Sequence, residues 1–383
     1  MNSFKKYLFP VLILVFYCIE GISKYYLMCN DTKISVTRYL RLIIFIFICF
    51  YFLYKKKYLF LILPTILLLF YLIGQYLLSF TYFSFGSMVV YAKYIYILFL
   101  LEFSFHFFKT TNTKLLFKSF DLIIIINSIL IILGVLFKIR LFETYSGIRF
   151  GYNGLFITSA TSSYFYMIAL FYVFINYFKS KPNYILSTLV IIAVFIIGAK
   201  AIYLFSALLI VFYFIYYRAN KNLLKSIVVS VLSLSTIAIL LLIFVPSFLE
   251  INNTYGLLSA ILSYRDLLFV DKTLPFIRNN WNELNYLLGG QGFLKDRTQM
   301  GFFDLFLFFG AFGSVIYLYI YYKVLFKNTL NIDSIFIIIS FGIVIFLAGN
   351  FFYSATISFY LIILQQILYC LSDDNKCLQY TNE

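Results

Sequence analysis

The chain has 383 residues, of which 63% are hydrophobic, 22% aromatic and only 12% charged, a composition outside the range of soluble domains. It excludes a cytosolic enzyme, a secreted disulfide module and a disordered tail protein, and predicts an all-α polytopic membrane protein. The net charge of +15 points to anionic membrane lipid and not to nucleic acid, because no basic, aromatic-interleaved soluble module is present to carry one.

The apolar runs lack the alternation of barrel strands, so the spans are helices, whose backbone hydrogen bonds close within the segment. The first run follows Lys5 and Lys6, but Phe16, Tyr17 and Cys18 are bulky where a cleavage site needs small residues, so it reads as a retained span. Spans are expected near 7–23, 42–54, 58–79, 87–108, 120–137 and 154–178, then 184–197, 201–217, 226–245, 301–322, 334–350 and 354–371. That makes a single integral membrane domain over 1–383 with about twelve transmembrane helices of about 20 residues each. One long outer loop, 246–298, interrupts them.

The five cysteines contain no CxxC pair and there is one histidine, which argues against a disulfide framework, structural zinc and metal catalysis. No metal and no cofactor are expected.

With the N-terminus inside, fifteen lysines and one arginine fall on inner segments, while seven of the eight arginines fall on outer ones. The lysines follow the positive-inside rule and set both termini in the cytoplasm. Arginine offers a permanent charge and a planar fork that grips phosphate or carboxylate at two points, so an outer face rich in arginine suggests an anionic ligand arriving there. Helix capping and snorkelling to lipid phosphates are the structural alternatives.

The loop is too long to be a spacer and is expected to contain short amphipathic helices. Leu257, Leu258, Ile261, Leu262, Leu268 and Phe269 keep helical spacing, with Arg265 on the same stripe and Ser259, Ser263 and Asp266 opposite. Arg265 is therefore expected to point inward, where it needs an acidic partner or an anion. Leu274, Ile277, Trp281, Leu284 and Leu288 form a second pattern, with Arg278 within it, that ends at Gly289-Gly290-Gln291-Gly292. That run lacks the Lys-Ser/Thr of a phosphate loop and reads as helix terminator and turn. Beyond it Arg297, Gly301 and Asp304 share one face of the next span, and a carboxylate in a span is functional by default or a partner for Arg297 or Arg265.

Before the loop, Glu143 to Gly154 reads ETYSGIRFGYNG and presents Arg149 ahead of a helix that opens with Thr158, Ser159, Thr161, Ser162 and Ser163, a second possible anion contact. Gly198-Ala199-Lys200 forms an outer turn with a lysine at its tip. Lys93 and Glu102 occupy one span but project from opposite faces. His106, one turn from Glu102, lies near the inner surface, on the wrong side for chemistry at the arginines.

Four stretches, RFGYNGLF, GAKAIYLFSALL, SYRDLLF and GGQGFLKDRTQMGFFDLFLFFGAFGSVIY, resemble the bacterial O-antigen polymerase and ligase superfamily. They cover about a third of the chain, in the family's order, and include the closing GxxG at Gly310 and Gly313. Gln299 stands where the ligases carry a histidine and many polymerases a glutamate, and Gly301 replaces a second acid. Asp304 retains the third.

The resemblance implies a capsule or O-antigen repeat-unit polymerase, a glycosyltransferase without a metal. It would transfer an undecaprenyl-pyrophosphate-linked oligosaccharide onto another lipid-linked repeat at the outer face of the plasma membrane, alongside a flippase and a chain-length regulator. Arg149 and Arg265 would neutralise the leaving pyrophosphate, with Lys200, Arg278 and Arg297 helping, and Asp304 or Asp266 would take the acceptor proton. A ligase and a lipid-linked oligosaccharide flippase are the alternatives.

Overall fold

A computed structural model describes residues 2–30, 36–108, 113–145, 150–179, 182–217, 246–291, 297–326, 331–347 and 349–372. Among them every regular element is helical, apart from one isolated bridge between Glu143 and Tyr152. The long helices are α1 (Asn2–Asn30), α2 (Val36–Tyr54), α3 (Tyr58–Leu77), α4 (Phe85–Phe108), α5 (Lys114–Phe137), α6 (Ser159–Lys179), α7 (Tyr184–Ile197) and α8 (Lys200–Phe212). The loop then carries five short helices, α9 (Pro246–Tyr255), α10 (Leu257–Leu262), α11 (Arg265–Leu268), α12 (Leu274–Asn280) and α13 (Glu283–Leu288). Three more long helices follow, α14 (Gly301–Phe326), α15 (Ile332–Leu347) and α16 (Ile357–Ser372).

Seven of these helices are long and apolar enough to cross a membrane, and Tyr184–Ile197, Ile332–Leu347 and Ile357–Leu371 are apolar but shorter. The chain is a helical membrane protein. The span expected at 226–245 lies outside the described residues.

Burial separates the centre from the rim. In the apolar window of α4, 72% of residues are buried, against 17% for α2 and 22% for α3, so α4 is central and the α2–α3 hairpin faces outward. The segment Phe359–Leu364 of α16 is fully buried against α4 and α6. Ring stacking such as Phe16 on Phe359, centroids 4.1 Å apart, fills that centre with the large flat contacts that drive packing where lipid removes a hydrophobic incentive.

The two ends of the bundle differ in charge. At one end lie Lys55, Lys56 and Lys57 between α2 and α3, with Lys114 and Lys118 opening α5. There the buried Glu102 carboxylate meets His106 Nε2 at 2.7 Å and Lys57 Nζ at 3.4 Å. The other end carries the long loop and every described arginine.

Glycines let backbones meet at the loop end. Gly310 breaks the α14 helix with φ 67°, which frees carbonyls that hydrocarbon cannot satisfy. The glycine run answers them, since Gly290 N donates to Phe308 O at 3.2 Å and Gln291 N to Leu307 O at 3.0 Å. A Cβ on Gly290 would lie 2.5 Å from the Gly74 carbonyl carbon in α3. Asn285 closes the joint by donating from Nδ2 to Gly74 O at 3.1 Å, and the Gln75 amide donates to Gly290 O. The run ends α13, as its composition predicts, and also locks the loop to two spans.

A second joint forms before α6. Tyr152 N donates to Ile196 O at 3.1 Å and Thr144 N to Gly151 O at 2.8 Å, while Gly151 and Gly198 each pack on the other's backbone neighbour. Thus the turns at 150–154 and 198–200, 44 or more positions apart, form one unit. Lys24, expected just past the first span, is buried because α1 continues to Asn30. Its Nζ donates to Glu143 O at 3.2 Å, Asn153 Oδ1 at 2.6 Å and Gly154 O at 2.7 Å. A Lys24→Met substitution would leave three buried oxygens without that donor. Stability is then expected to fall by roughly 3 kcal/mol, read as a lower thermal midpoint in detergent; an unchanged midpoint would remove Lys24 from this role.

The loop corrects one sequence expectation. The first pattern is not one inward-facing amphipathic helix, because Ser263 (φ 54°) and Tyr264 (φ 66°) reverse the chain between α10 and α11. Leu257, Leu258 and Ile261 are exposed, whereas Ser259, Ala260 and Leu262 are buried. In a membrane protein an apolar stripe does not have to face the protein, since lipid is equally apolar. The second pattern is also interrupted, at Trp281, because Asn282 caps α13 in a reciprocal box with Asn285. Ile277 and Trp281 still anchor it, packing with Leu78 and Leu307.

Candidate functional site

The site is built on the short connection 349–356 between α15 and α16, whose start is set by Asn350 at φ 72°. A side chain on Gly349 would run into the Gln299 backbone, so glycine there lets the exit of the long loop come onto this connection. Four cations from four parts of the chain converge there. Arg265 Nη1 donates to Leu347 O at 2.5 Å, and Arg297 Nη2 donates to Asn350 Oδ1 at 2.8 Å. Arg41 Nη1 donates to Thr356 Oγ1 at 3.3 Å. Tyr353 carries two of the cations on one ring, with the Arg297 guanidinium 4.3 Å and Lys93 Nζ 5.7 Å from its centroid. Both distances fall within the reach of a cation–π contact, and the Tyr353 hydroxyl donates to Asn350.

Asp304 lies in the first turn of α14, buried. Thr298 Oγ1 donates to its Oδ1 at 2.9 Å, and the same hydroxyl accepts from Met300 N at 3.1 Å, so the turn before the helix orients the carboxylate. Oδ2 has no hydrogen-bond partner among the described residues. Arg297 and Arg265 both act on this carboxylate, Arg297 the more strongly. Burial lowers the Arg297 pKa and the Asp304 charge works against that shift; a guanidinium stays charged through it. The arrangement holds a carboxylate with one unengaged oxygen beside fixed cations, which can orient an anion and accept a proton.

Of the residues singled out in the sequence, Arg265, Arg297 and Asp304 are therefore together. Lys200 belongs to the loop's attachment, since its Nζ donates to Ala260 O at the end of α10 and to Ser263 Oγ at 3.1 Å, close in sequence to Arg265. Asp266 accepts from Ser259 Oγ, and Arg278 is exposed on α12. Arg149 lies outside the described residues. The sequence does not single out Arg41, Asn350 or Tyr353, and it marks Lys93 only as a cation inside a span, facing away from Glu102. The available signal was Lys93 inside the apolar run 87–108, where a cation marks function by default, and Arg41 at the very start of the run 42–54.

No protein-family model, curated protein or solved structure matches this chain.

Proposed function

We propose that the protein is a polysaccharide repeat-unit polymerase, a glycosyltransferase working on undecaprenyl-pyrophosphate-linked glycans at the outer face of the bacterial plasma membrane. The observation that carries this reading is the meeting of Arg265, Arg297 and Asp304 at the loop end of the bundle. The lysines at the opposite end support the orientation with about twelve spans and both termini inside.

In this reading the acceptor hydroxyl oxygen bonds to the anomeric carbon of the donor glycan as the bond from that carbon to the pyrophosphate oxygen breaks. The pyrophosphate leaves with the electron pair, and Arg265 and Arg297 stabilise its growing charge as fixed donors. The hydroxyl proton passes to Asp304, whose Oδ2 is the unengaged oxygen, as general base. Arg149 joins the arginines on the strength of the family resemblance alone.

The test is deletion of the gene, followed by sizing of surface glycans and of lipid-linked intermediates on each side of the membrane. Single repeats on outward-facing lipid or at the surface support the polymerase. Completed polymer stranded on its carrier would replace it with a ligase, and repeats trapped inside would replace it with a flippase. In a strain rescued by the wild-type gene, Asp304→Asn is expected to cut chain extension by 10²-fold or more, roughly the scale of a general base; full-length chains from that variant would move the proton to another group.

A further inference from the structure

Beside the carboxylate site, the same end of the bundle gathers more positive charge than the proposed reaction uses. Lys93 shares the Tyr353 ring with Arg297, and the charges that act on it are those of Arg41, Arg38 and Arg297. Two acids reach the edges of this group: Glu20 from α1 acts on Arg41, and Asp304 from α14 acts on Arg297. Glu20 also answers Ile157 N at 3.3 Å and acts on Lys24. Among the described residues, four cations therefore face two shared carboxylates. Like charges gathered at one site repel one another unless an anion lies among them.

The group opens sideways. Thr37, Ile48 and Phe52 are buried along one side of α2 and Arg41 is half-buried on that side. Arg38, three residues before Arg41 and so on the neighbouring flank of the helix, is exposed, and beyond it the outward side carries the exposed Tyr39, Leu42, Ile43, Ile46 and Phe47. That apolar, outward side of a spanning helix meets acyl chains. A ligand touching Arg38 and Arg41 together thus has its charge at the end of the span and its body against Leu42 and Ile46.

We propose that Arg38, Arg41 and Lys93, beside Arg297 on the Tyr353 ring, form a binding site for the phosphate headgroup of an anionic bilayer lipid. A phosphate suits the excess of charge and the arginine fork, and the lipid-facing mouth selects a phosphate carried on acyl chains. The site does not depend on the protein being a transferase.

The experiment uses the full chain in a neutral detergent, titrated with dioleoyl phosphatidic acid and, separately, with dioleoyl phosphatidylcholine, with bound lipid counted by native mass spectrometry. Phosphatidic acid is expected to be retained and phosphatidylcholine not. Arg41→Gln and Lys93→Gln should each weaken phosphatidic acid binding about tenfold, the scale of one charge-assisted hydrogen bond. Arg140→Gln, which removes an exposed charge at the same end, should not. If either buried-side variant fails to fold, Arg38→Gln changes an exposed side chain and should weaken binding in the same direction. Equal loss with Arg140→Gln, or equal retention of phosphatidylcholine, overturns the site. Displacement of the lipid by inorganic pyrophosphate alone would show a phosphate site that serves free or reacting phosphate, and would overturn the lipid assignment. None of these readouts requires glycan synthesis, so a failed polymerase test and a failed lipid test remain distinct.

Discussion

Replacing Arg265 with alanine is expected to abolish long glycan chains while leaving the protein at its normal level in the membrane. The guanidinium sits on α11, one residue after the Ser263–Tyr264 reversal, and is held by the Leu347 carbonyl at 2.5 Å. Together with Arg297 it acts on the Asp304 carboxylate. A donor fixed where charge develops contributes more to a transition state than to a bound substrate, and removal of one such donor costs about 10²- to 10³-fold in rate. The fold should tolerate the loss, because Arg265 is only half-buried and the loop has separate anchors at Trp281 and at Lys200. Arg265→Lys is expected to recover a small part of the activity, since it restores charge without the planar fork. Gel sizing of the glycan beside an immunoblot of the membrane fraction decides it. Normal chain length at normal protein level would take Arg265 out of the mechanism.

Gly310→Ala should give the largest structural effect. With φ at 67° the residue occupies a conformation that costs an alanine about 1 kcal/mol or more, and its Cβ would run into the Leu287 carbonyl and the Gly289 amide. Those atoms are backbone and cannot swing aside, so the clash adds about 1–3 kcal/mol. Relief by separation would break the bonds from Gly290 and Gln291 to Phe308 and Leu307, leaving carbonyls of α14 unmet in hydrocarbon. A marked drop in thermal midpoint and faster proteolysis within the loop are expected together. Gly313→Ala is the comparison. Gly313 has no positive φ, and a Cβ there would lie 2.8 Å from Phe309 Cβ and 3.5 Å from the Phe70 ring, so this variant carries a clash without the conformational strain and should lose less. Equal midpoints and equal cleavage for Gly310→Ala and wild type would show that the joint does not hold the loop.

Both expectations rest on details that differ in how far they could be read from the residues. Runs such as Ile123–Ile126 and Ile335–Ile339 announce membrane helices by composition, because lipid requires apolar side chains over the length of a span whatever the neighbours are. Helical spacing pairs Asp304 with Arg297, but not for the reason it assumes: α14 begins only at Gly301, and Arg297 lies ahead of it on a non-helical turn with Gln299 at φ 56°. The inward direction of Arg265 could not be derived that way. It faces Leu347 because two positive-φ residues turn the chain, and no periodicity encodes a reversal at serine and tyrosine.

The glycine run shows the same limit. Its end-of-helix role follows from glycine's conformational freedom, but its attachment to Gly74 and Gly310 depends on two distant spans arriving at backbone contact. The connection 349–356 left almost no mark in composition, yet it gathers Arg41, Lys93, Arg265 and Arg297, residues spread over more than 250 positions.

Composition by itself determined a helical membrane protein, and the sequence order of its charges pointed to one arginine-rich end. These follow from single residues meeting lipid, water or a surface potential. The tertiary structure alone decided which arginines meet, which carboxylate oxygen is unengaged and which turn they share, because those cations are held by a helix-end carbonyl and by the tyrosine ring and asparagine of a connection distant in sequence.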